Sequence, residues 1–316
     1  MINYYTWLNN NPSVPFNSGY IPMKTFPKLT WQGVFLFTVM SVATTVAADE
    51  MKVSDIPVFD AHIHYSHDVW DAIPPEDAIR RLREAGVERA LVSSSSDEGT
   101  QRLYQADPAF VIPSLRPYRK RGTIDNWMYD ETLIPYLKQR LETYRYAAIG
   151  ELHINGEQAK SPVMREVIRL AEQYQLILHI HSDAEAIQLV FEQYPEAHIL
   201  WAHAGFEQAS TVAELMDKQS NLMADLSFRT EIYQNGRFFP SWEQLLVKHA
   251  DRFLLGIDTY EPQRWLHVGN VMLWQRALLM ALPDDVARRI AYENSEWITR
   301  RFDNYQSRMS HPVLNQ

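Results

Sequence analysis

The 316-residue chain contains no cysteine. Disulfide bonds and thiolate metal sites are therefore excluded, and so is a lipoprotein anchor, which needs a cysteine at its cleavage point. Any metal that this protein binds must be held by histidine and carboxylate side chains.

The chain also lacks long runs of basic residues. Its 30 lysines and arginines stand against 39 aspartates and glutamates, which gives a net charge of −9. Because neutralising the phosphates of a nucleic acid needs clustered cations, this balance argues against a nucleic-acid surface. The hydrophobic content of 46% is ordinary for a soluble globular protein. The length suits a single α/β barrel of roughly 250 residues with extensions.

The first 48 residues predict an export signal and not a part of the folded domain. Residues 1–22 show no helical or strand period, and Met23 is an alternative start that would make them an upstream extension. Lys24 and Lys28 then precede an apolar stretch, residues 33–46, and small residues up to Ala48. This order is typical of a secretory signal peptide, which we predict over residues 23–48 with cleavage after Ala48.

The apolar stretch is shorter than the roughly 20 residues that a membrane-spanning helix needs. We therefore expect no permanent membrane span after processing, with an uncleaved anchor as the alternative. The predicted mature protein, residues 49–316, is then periplasmic or secreted.

From residue 57 onward, short β-branched runs alternate with amphipathic stretches. The runs are 57–63, 89–94, 110–115, 146–152, 176–181, 198–203, 221–226 and 252–257. The helical patterns include 75–85, 161–174, 183–194, 211–218 and 241–249, with a final helix over 282–302 packed outside the sheet. Strands that alternate with helices imply parallel pairing, and eight such units favour a single-domain (β/α)8 TIM barrel. An open sheet of six or seven strands is the alternative.

Polar residues fall where these strands end, which is where chemistry gathers in a barrel. The strand-end motifs are Asp60-Ala-His62-Ile-His64, Gly150-Glu151-Leu-His153, His179-Ile-His181-Ser-Asp183, Ala202-His203-Ala-Gly205 and Gly256-Ile-Asp258. Alternate residues of a strand share a face, so His62 and His64 point the same way and suit a metal pincer. A single His-x-His motif is common by chance, but six of the 11 histidines fall in these motifs.

On these residues, the chain resembles the amidohydrolase superfamily, in particular the amidohydrolase-related branch. That family has His-x-His on the first strand, a ligand or substrate-contacting group on the fourth, histidines on the fifth and sixth, and aspartate on the eighth. The resemblance covers about residues 55–305, including the closing Ile290-Ala-Tyr-Glu293-Asn294. It implies metal ligands at His62, His64, His181 and Asp258, with His203 as a ligand or as a group that polarises the substrate carbonyl.

The fifth and fourth strands each leave an alternative open. On the fifth strand we favour His181 as the ligand, and we place His179 in the core or behind the ligands. Glu151 is either a metal ligand, which could bridge two ions, or a salt-bridge partner at the barrel mouth. His153 shares its face and is expected to line the pocket.

The expected cofactor is one or two divalent metal ions, with zinc as the default for histidine and aspartate ligands. Metal-activated water would cleave an amide, ester or lactone bond, with Asp258 as the base and His203 stabilising charge on the substrate oxygen. Two alternatives are a metal-dependent decarboxylase and an inactive binding protein on the same barrel.

The expected partner is a small molecule, and the sequence leaves the oligomeric state open, a homo-oligomer included. Arg116 and Arg229 follow the third and seventh strands, where a guanidinium could bind a substrate carboxylate through two hydrogen bonds. In the alternative, these arginines pair with acids of the barrel mouth such as Asp183 or Glu207, or reach solvent.

Overall fold

A computed structural model describes residues 55–309, and it contains eight parallel strands. They are β1 (Val58–Ile63), β2 (Val87–Val92), β3 (Val111–Leu115), β4 (Ala148–His153), β5 (Ile177–His181), β6 (Ile199–Trp201), β7 (Leu222–Asp225) and β8 (Phe253–Leu254). Each strand pairs with the next along the chain, and a parallel bridge between Asp60 and Leu255 joins the last strand to the first. This nearly closed (β/α)8 barrel confirms the predicted fold.

Helices follow the strands along the chain. They are α1 (Pro75–Glu84), α2 (Asp97–Ala106), α3 (Leu133–Thr143), α4 (Pro162–Tyr174), α5 (Ala184–Gln193), α6 (Ala209–Lys218), α7 (Pro240–Lys248), α8 (Pro262–Trp265), α9 (Val268–Met280), α10 (Asp284–Ala291) and α11 (Glu296–Met309). A short antiparallel hairpin pairs Tyr233–Gln234 with Arg237–Phe238 ahead of α7.

The beginning of α4 shows how the sequence sets a helix boundary. The Ser161 hydroxyl accepts a hydrogen bond from the backbone N–H of Met164 at 3.2 Å, and Pro162 occupies the first helical position. Proline suits that position because the N–H that it lacks would have no partner within the helix. The predicted boundary at Ser161 is confirmed.

The barrel interior is apolar below the site. One cluster of buried side chains takes a residue from every strand: Phe59, Leu91, Ile112, Ala148, Ile177, Leu200, Met223 and Leu254. Ile298 and Phe302 of α11 join this cluster. The α11 helix therefore covers the amino ends of the strands and leaves their carboxyl ends for the candidate site.

The structure corrects the predicted boundaries of several elements. The single final helix expected over 282–302 is divided into α10 and α11, because the side-chain amide of Asn294 donates to the carbonyls of Ala250 and Phe253 at 2.8 Å each and ties the intervening turn to the barrel. Strand β6 ends at Trp201, before the predicted residue 203, since the residues from His203 onward have positive φ and cannot continue a strand.

The predicted extension over residues 1–22 and the predicted signal peptide over 23–48 lie outside the described residues. Within residues 55–309, no helix is both long enough and apolar enough to cross a bilayer.

Candidate metal centre and active site

The two histidines at the end of β1 present the same ring nitrogen to the barrel mouth. The Nδ1 atom of His64 lies 2.5 Å from the carbonyl oxygen of Ser93, and the Nδ1 atom of His62 lies 3.1 Å from a carboxylate oxygen of Asp225. These oxygens can only accept, so each Nδ1 carries the proton and donates. The two Nε2 atoms face each other at 3.1 Å. Such partners fix a histidine for metal ligation.

Glu151, at the end of β4, contacts most of the other residues of the site. Its Oε2 atom lies 3.5 Å from Nε2 of His62 and 3.2 Å from Nε2 of His64, and it accepts a hydrogen bond from Arg116 at 2.7 Å. The residue is 2% exposed. Burial alone would raise the pKa of Glu151, but the neighbouring imidazoles outweigh it and hold the pKa well below its usual range. The carboxylate is therefore ionised at neutral pH.

Asp258 and His203 complete what we call the central group: His62, His64, Glu151, His203 and Asp258. The Oδ1 atom of Asp258 lies 3.3 Å from Nε2 of His64, and its Oδ2 atom lies 3.7 Å from Nε2 of His203. Burial would raise the pKa of Asp258, but the charges of His62 and His64 outweigh it and hold the pKa below its ordinary value. Asp258 is thus an ionised carboxylate that faces imidazole nitrogens.

The Nδ1 atom of His203 lies 3.0 Å from the carbonyl oxygen of Ser227. This nitrogen therefore carries a proton. The Nε2 atom lies 3.7 Å from a carboxylate oxygen of Glu151 and 3.7 Å from one of Asp258, which is a position suited to a metal ligand. The geometry favours the ligand role among the two that the resemblance implied.

The donor set of the central group fits a divalent metal. Neighbouring donor atoms within it are 3.1 to 3.8 Å apart, whereas tetrahedral ligands of zinc at 2.0–2.2 Å are separated by about 3.3–3.6 Å. Among the described residues, Oδ1 of Asp258 is also buried without a hydrogen-bond partner. Because a buried polar atom is costly when unpaired, this oxygen is a natural ligand atom. Overlapping triplets of these residues could hold a metal ion.

His181 and His153 form a pair at the outer edge of the central group. The Nδ1 atom of His181 lies 2.8 Å from Oε1 of Glu151, and the Nε2 atom of His153 lies 3.2 Å from Oε2. The two imidazoles stack with their centroids 4.2 Å apart. With Glu151 they make a second group that could hold a metal. The structure therefore brings His181 to Oε1 of Glu151, whereas the β1 histidines face Oε2.

Sequence reasoning missed Asp225, the last residue of β7. One of its oxygens lies 3.1 Å from Nδ1 of His62 and 3.6 Å from Nε2 of His179. Burial lowers the pKa of His179 to about 4, even though Asp225 opposes the shift. His179 is therefore a neutral, buried ring behind the central group, in keeping with the place predicted for it. The available signal for Asp225 was a carboxylate at the end of an otherwise apolar strand.

A left-handed turn follows β6. His203, Ala204, Gly205 and Phe206 have φ values of 56°, 47°, 64° and 55°. Only glycine fits at position 205, because a Cβ atom there would lie 2.1 Å from the indole ring of Trp201. The other three positions are strained, since a left-handed conformation costs roughly 1–2 kcal/mol per non-glycine residue.

Arg229 holds this turn in place. Its Nη1 and Nη2 atoms donate to the carbonyls of His203 and Glu207, each at 2.9 Å, and its Cζ atom lies 4.2 Å from the ring centroid of Trp242. The residue is 2% exposed and also pairs with Glu231. Since its donors are directed at protein atoms, the geometry favours a positioning role over the substrate contact that the sequence suggested.

Arg116 is likewise engaged by the protein. It is 4% exposed and its guanidinium binds Glu151. The geometry therefore favours the alternative, in which Arg116 pairs with an acid of the barrel mouth. That acid is Glu151 and not Asp183 or Glu207. Asp183 instead caps α5 by accepting a hydrogen bond from the backbone N–H of Ala186 at 2.9 Å.

No protein-family model matches the sequence, and a search of curated proteins gives no match. Solved structures do resemble it. An uncharacterised TIM-barrel protein from Bordetella bronchiseptica has a TM-score of 0.53 and 13% identity over 78% of this chain and 99% of its own. A Pseudomonas putida protein named as a 2-pyrone-4,6-dicarboxylic acid hydrolase has a TM-score of 0.55 and 14% identity over 78% and 98%.

An amidohydrolase from Burkholderia multivorans, solved with bound zinc, has a TM-score of 0.50 and 13% identity over 78% of this chain and 99% of its own. The structural neighbours thus include amidohydrolases, as the sequence resemblance led us to expect. At such low identity, the likeness shows the shared barrel fold.

Proposed function

We propose that this protein is an exported, zinc-dependent hydrolase that cleaves an amide, ester or lactone bond of a small molecule at the mouth of the barrel. The observation that carries this proposal is the central group, in which three imidazole Nε2 atoms and two ionised carboxylates converge from β1, β4 and the segments after β6 and β8.

The charge of the site supports a divalent cation. The central group and its charged partners carry three negative charges, on Glu151, Asp258 and Asp225, and one positive charge, on Arg116. Burial raises the pKa of Asp60, behind His62, to about 7, so this carboxyl adds less than a full charge at neutral pH. With neutral imidazoles, as metal ligation requires, two negative charges remain in a buried site. An ion of charge +2 would balance them.

Each residue then has a role in hydrolysis. His62, His64, Asp258 and His203 would hold the ion, and Glu151 would either join them or connect a second ion to His153 and His181. A divalent metal in this group would supply Lewis acidity and bring the pKa of water into the neutral range. Asp258, ionised at neutral pH, would accept the proton of the attacking water and deliver it to the leaving group.

Two structural neighbours support the chemical class. One is named as a hydrolase of a pyrone dicarboxylic acid and another as an amidohydrolase with bound zinc. The competing reaction is metal-dependent decarboxylation, which uses a similar set of ligands.

A substrate panel on zinc-loaded protein would test the proposal, with esters, lactones, amides and unsaturated acids in water labelled with heavy oxygen. We expect one or two zinc ions per chain, and product that carries the label. The matched control is the double variant His62→Ala/His64→Ala, which should stay folded but lose both zinc and activity. Release of CO2 without incorporation of label would identify a decarboxylase, and bound metal without turnover of any substrate would favour a binding protein.

A further inference from the structure

Three aromatic side chains stand beside the central group, and we call them the aromatic rim: Phe206, Phe228 and Tyr260. Phe206 ends the left-handed turn after β6, Phe228 follows β7, and Tyr260 comes two residues after Asp258. They therefore belong to three successive loops at the carboxyl end of the barrel, where such loops determine substrate specificity.

Phe206 lies directly against a residue of the central group. Its ring stacks on the imidazole of His203, with centroids 4.7 Å apart and an angle of 21° between the planes. The residue is nevertheless 53% exposed. One face of the ring is thus covered by His203, and a large part of its remaining surface is open to solvent at the metal site.

Phe228 and Tyr260 extend the same aromatic surface. The Phe228 centroid lies 5.9 Å from that of His203 and 5.7 Å from that of Tyr260. The guanidinium of Arg264 lies 3.8 Å from the Phe228 centroid and holds that ring from one side. Tyr260 is 44% exposed.

The backbone carries strain at two of these three residues. Phe206 and Phe228 have φ values of 55° and 58°, which is unusual for bulky side chains. Strain of this kind collects at active sites and ligand clamps. A single exposed apolar residue would need no explanation, but here two strained aromatic residues lie against His203 and an exposed tyrosine lies against one of them.

We infer that the substrate carries a planar, unsaturated ring next to the bond that is cleaved, and that this ring stacks on the aromatic rim. The inference rests on the proposed function, because the ring is placed by a carbonyl group held at the central group. Aromatic side chains favour stacking with another π-system over contact with a saturated ring of similar size.

Two hydroxamates test this inference on the zinc-loaded full-length protein. Benzohydroxamate and cyclohexanecarbohydroxamate share a metal-chelating group and a six-membered carbon ring, and they differ in whether that ring is planar. We expect calorimetry to show benzohydroxamate binding about twofold to tenfold more tightly than the saturated analogue.

The variant Phe206→Leu should remove this preference and leave the affinity for cyclohexanecarbohydroxamate nearly unchanged. Leucine keeps the Cβ atom and hence the same backbone strain, so the variant changes only the ring. The matched control is Phe239→Leu, since Phe239 is 56% exposed and makes no ring contact with a histidine of the site among the described residues.

Equal affinity of the two probes for the unaltered protein would overturn the inference, as would a preference that survives Phe206→Leu. An equal loss for both probes in Phe206→Leu would also overturn it, because it would mean that the ring only supports His203. If neither hydroxamate binds zinc-loaded protein, the metal centre itself is wrong, and the aromatic subsite is refuted with it.

Discussion

Replacing Arg229 by lysine should destabilise the protein and lower its activity towards all substrates by a similar factor. The guanidinium makes two 2.9 Å hydrogen bonds, to the carbonyls of His203 and Glu207, and lies over Trp242. Hydrogen bonds to a charged group contribute about 1.5–3 kcal/mol each, and the cation–π contact adds about 0.5–2 kcal/mol when it is desolvated. A lysine ammonium is not forked and can keep only part of this set.

We therefore expect a loss of about 2–4 kcal/mol in the free energy of unfolding. This loss is comparable with the strain of the three non-glycine residues in the left-handed turn, roughly 3–6 kcal/mol in total. Without Arg229 the turn should relax, and His203 would leave the central group. For a barrel of this size, Tm should fall by about 4–16 °C.

The assay compares Tm and the kinetics of an ester substrate with those of its carboxylated analogue. A matched control is Arg252→Lys, because Arg252 reaches the carbonyls of Gln219 and Leu222 only at 3.3 and 3.4 Å. That variant should lose about 1 kcal/mol or less. An Arg229→Lys protein with unchanged Tm and a raised KM for the acidic substrate alone would refute the positioning role and restore Arg229 as a substrate contact.

Two further predictions concern the base and the amino terminus. Asp258→Asn keeps an oxygen for the metal but removes the proton acceptor, so kcat should fall by about 100-fold or more while most of the metal is retained; a variant with full activity would contradict this role. The exported protein should begin at Asp49, and amino-terminal sequencing that finds residues 24–40 on soluble cytoplasmic protein would contradict export.

The barrel was predictable because its signals are local and repeated. Each strand is a short and mostly apolar run, and some helix boundaries carry a local signal, such as the Ser161 cap with Pro162 at the first position. The elements that were predicted wrongly depend on contacts between distant residues. The division of the final helix follows from the bonds of Asn294 to the carbonyls of Ala250 and Phe253, which no local pattern reveals.

The sequence predicted which strand ends form the site, but it did not predict which residues hydrogen-bond to the histidines there. Period-two alternation places His62 and His64 on one face, and their Nε2 atoms do meet in the structure. The residues that orient these histidines were harder to predict, because such a residue is recognised only by its contacts in the folded structure. Asp225 orients His62 from a distance of 163 residues along the chain, and its local signal, a carboxylate at the end of an apolar strand, would equally suit a helix cap.

Arg229 is the opposite case, because the sequence suggested a substrate contact where the geometry favours a supporting residue. An arginine just past a strand end is placed well for a substrate carboxylate, and its sequence position carries no sign of a competing partner. The competing partners are the backbone carbonyls of His203 and Glu207, whose positions depend on the left-handed turn that Gly205 allows against the Trp201 ring. Backbone acceptors of this kind are invisible to any pattern of side chains.

Glu151 shows why a choice between two roles can be misleading. The sequence left it as either a metal ligand or a salt-bridge partner, yet a carboxylate has two oxygens with about four sites for acceptance. In the structure, Oε2 accepts from Arg116 and faces the Nε2 atoms of the β1 histidines, while Oε1 lies 2.8 Å from His181. The salt bridge fixes the orientation of the carboxylate, which is what a reliable ligand needs. The two roles therefore depend on each other, because Arg116 holds Glu151 where a metal could use it.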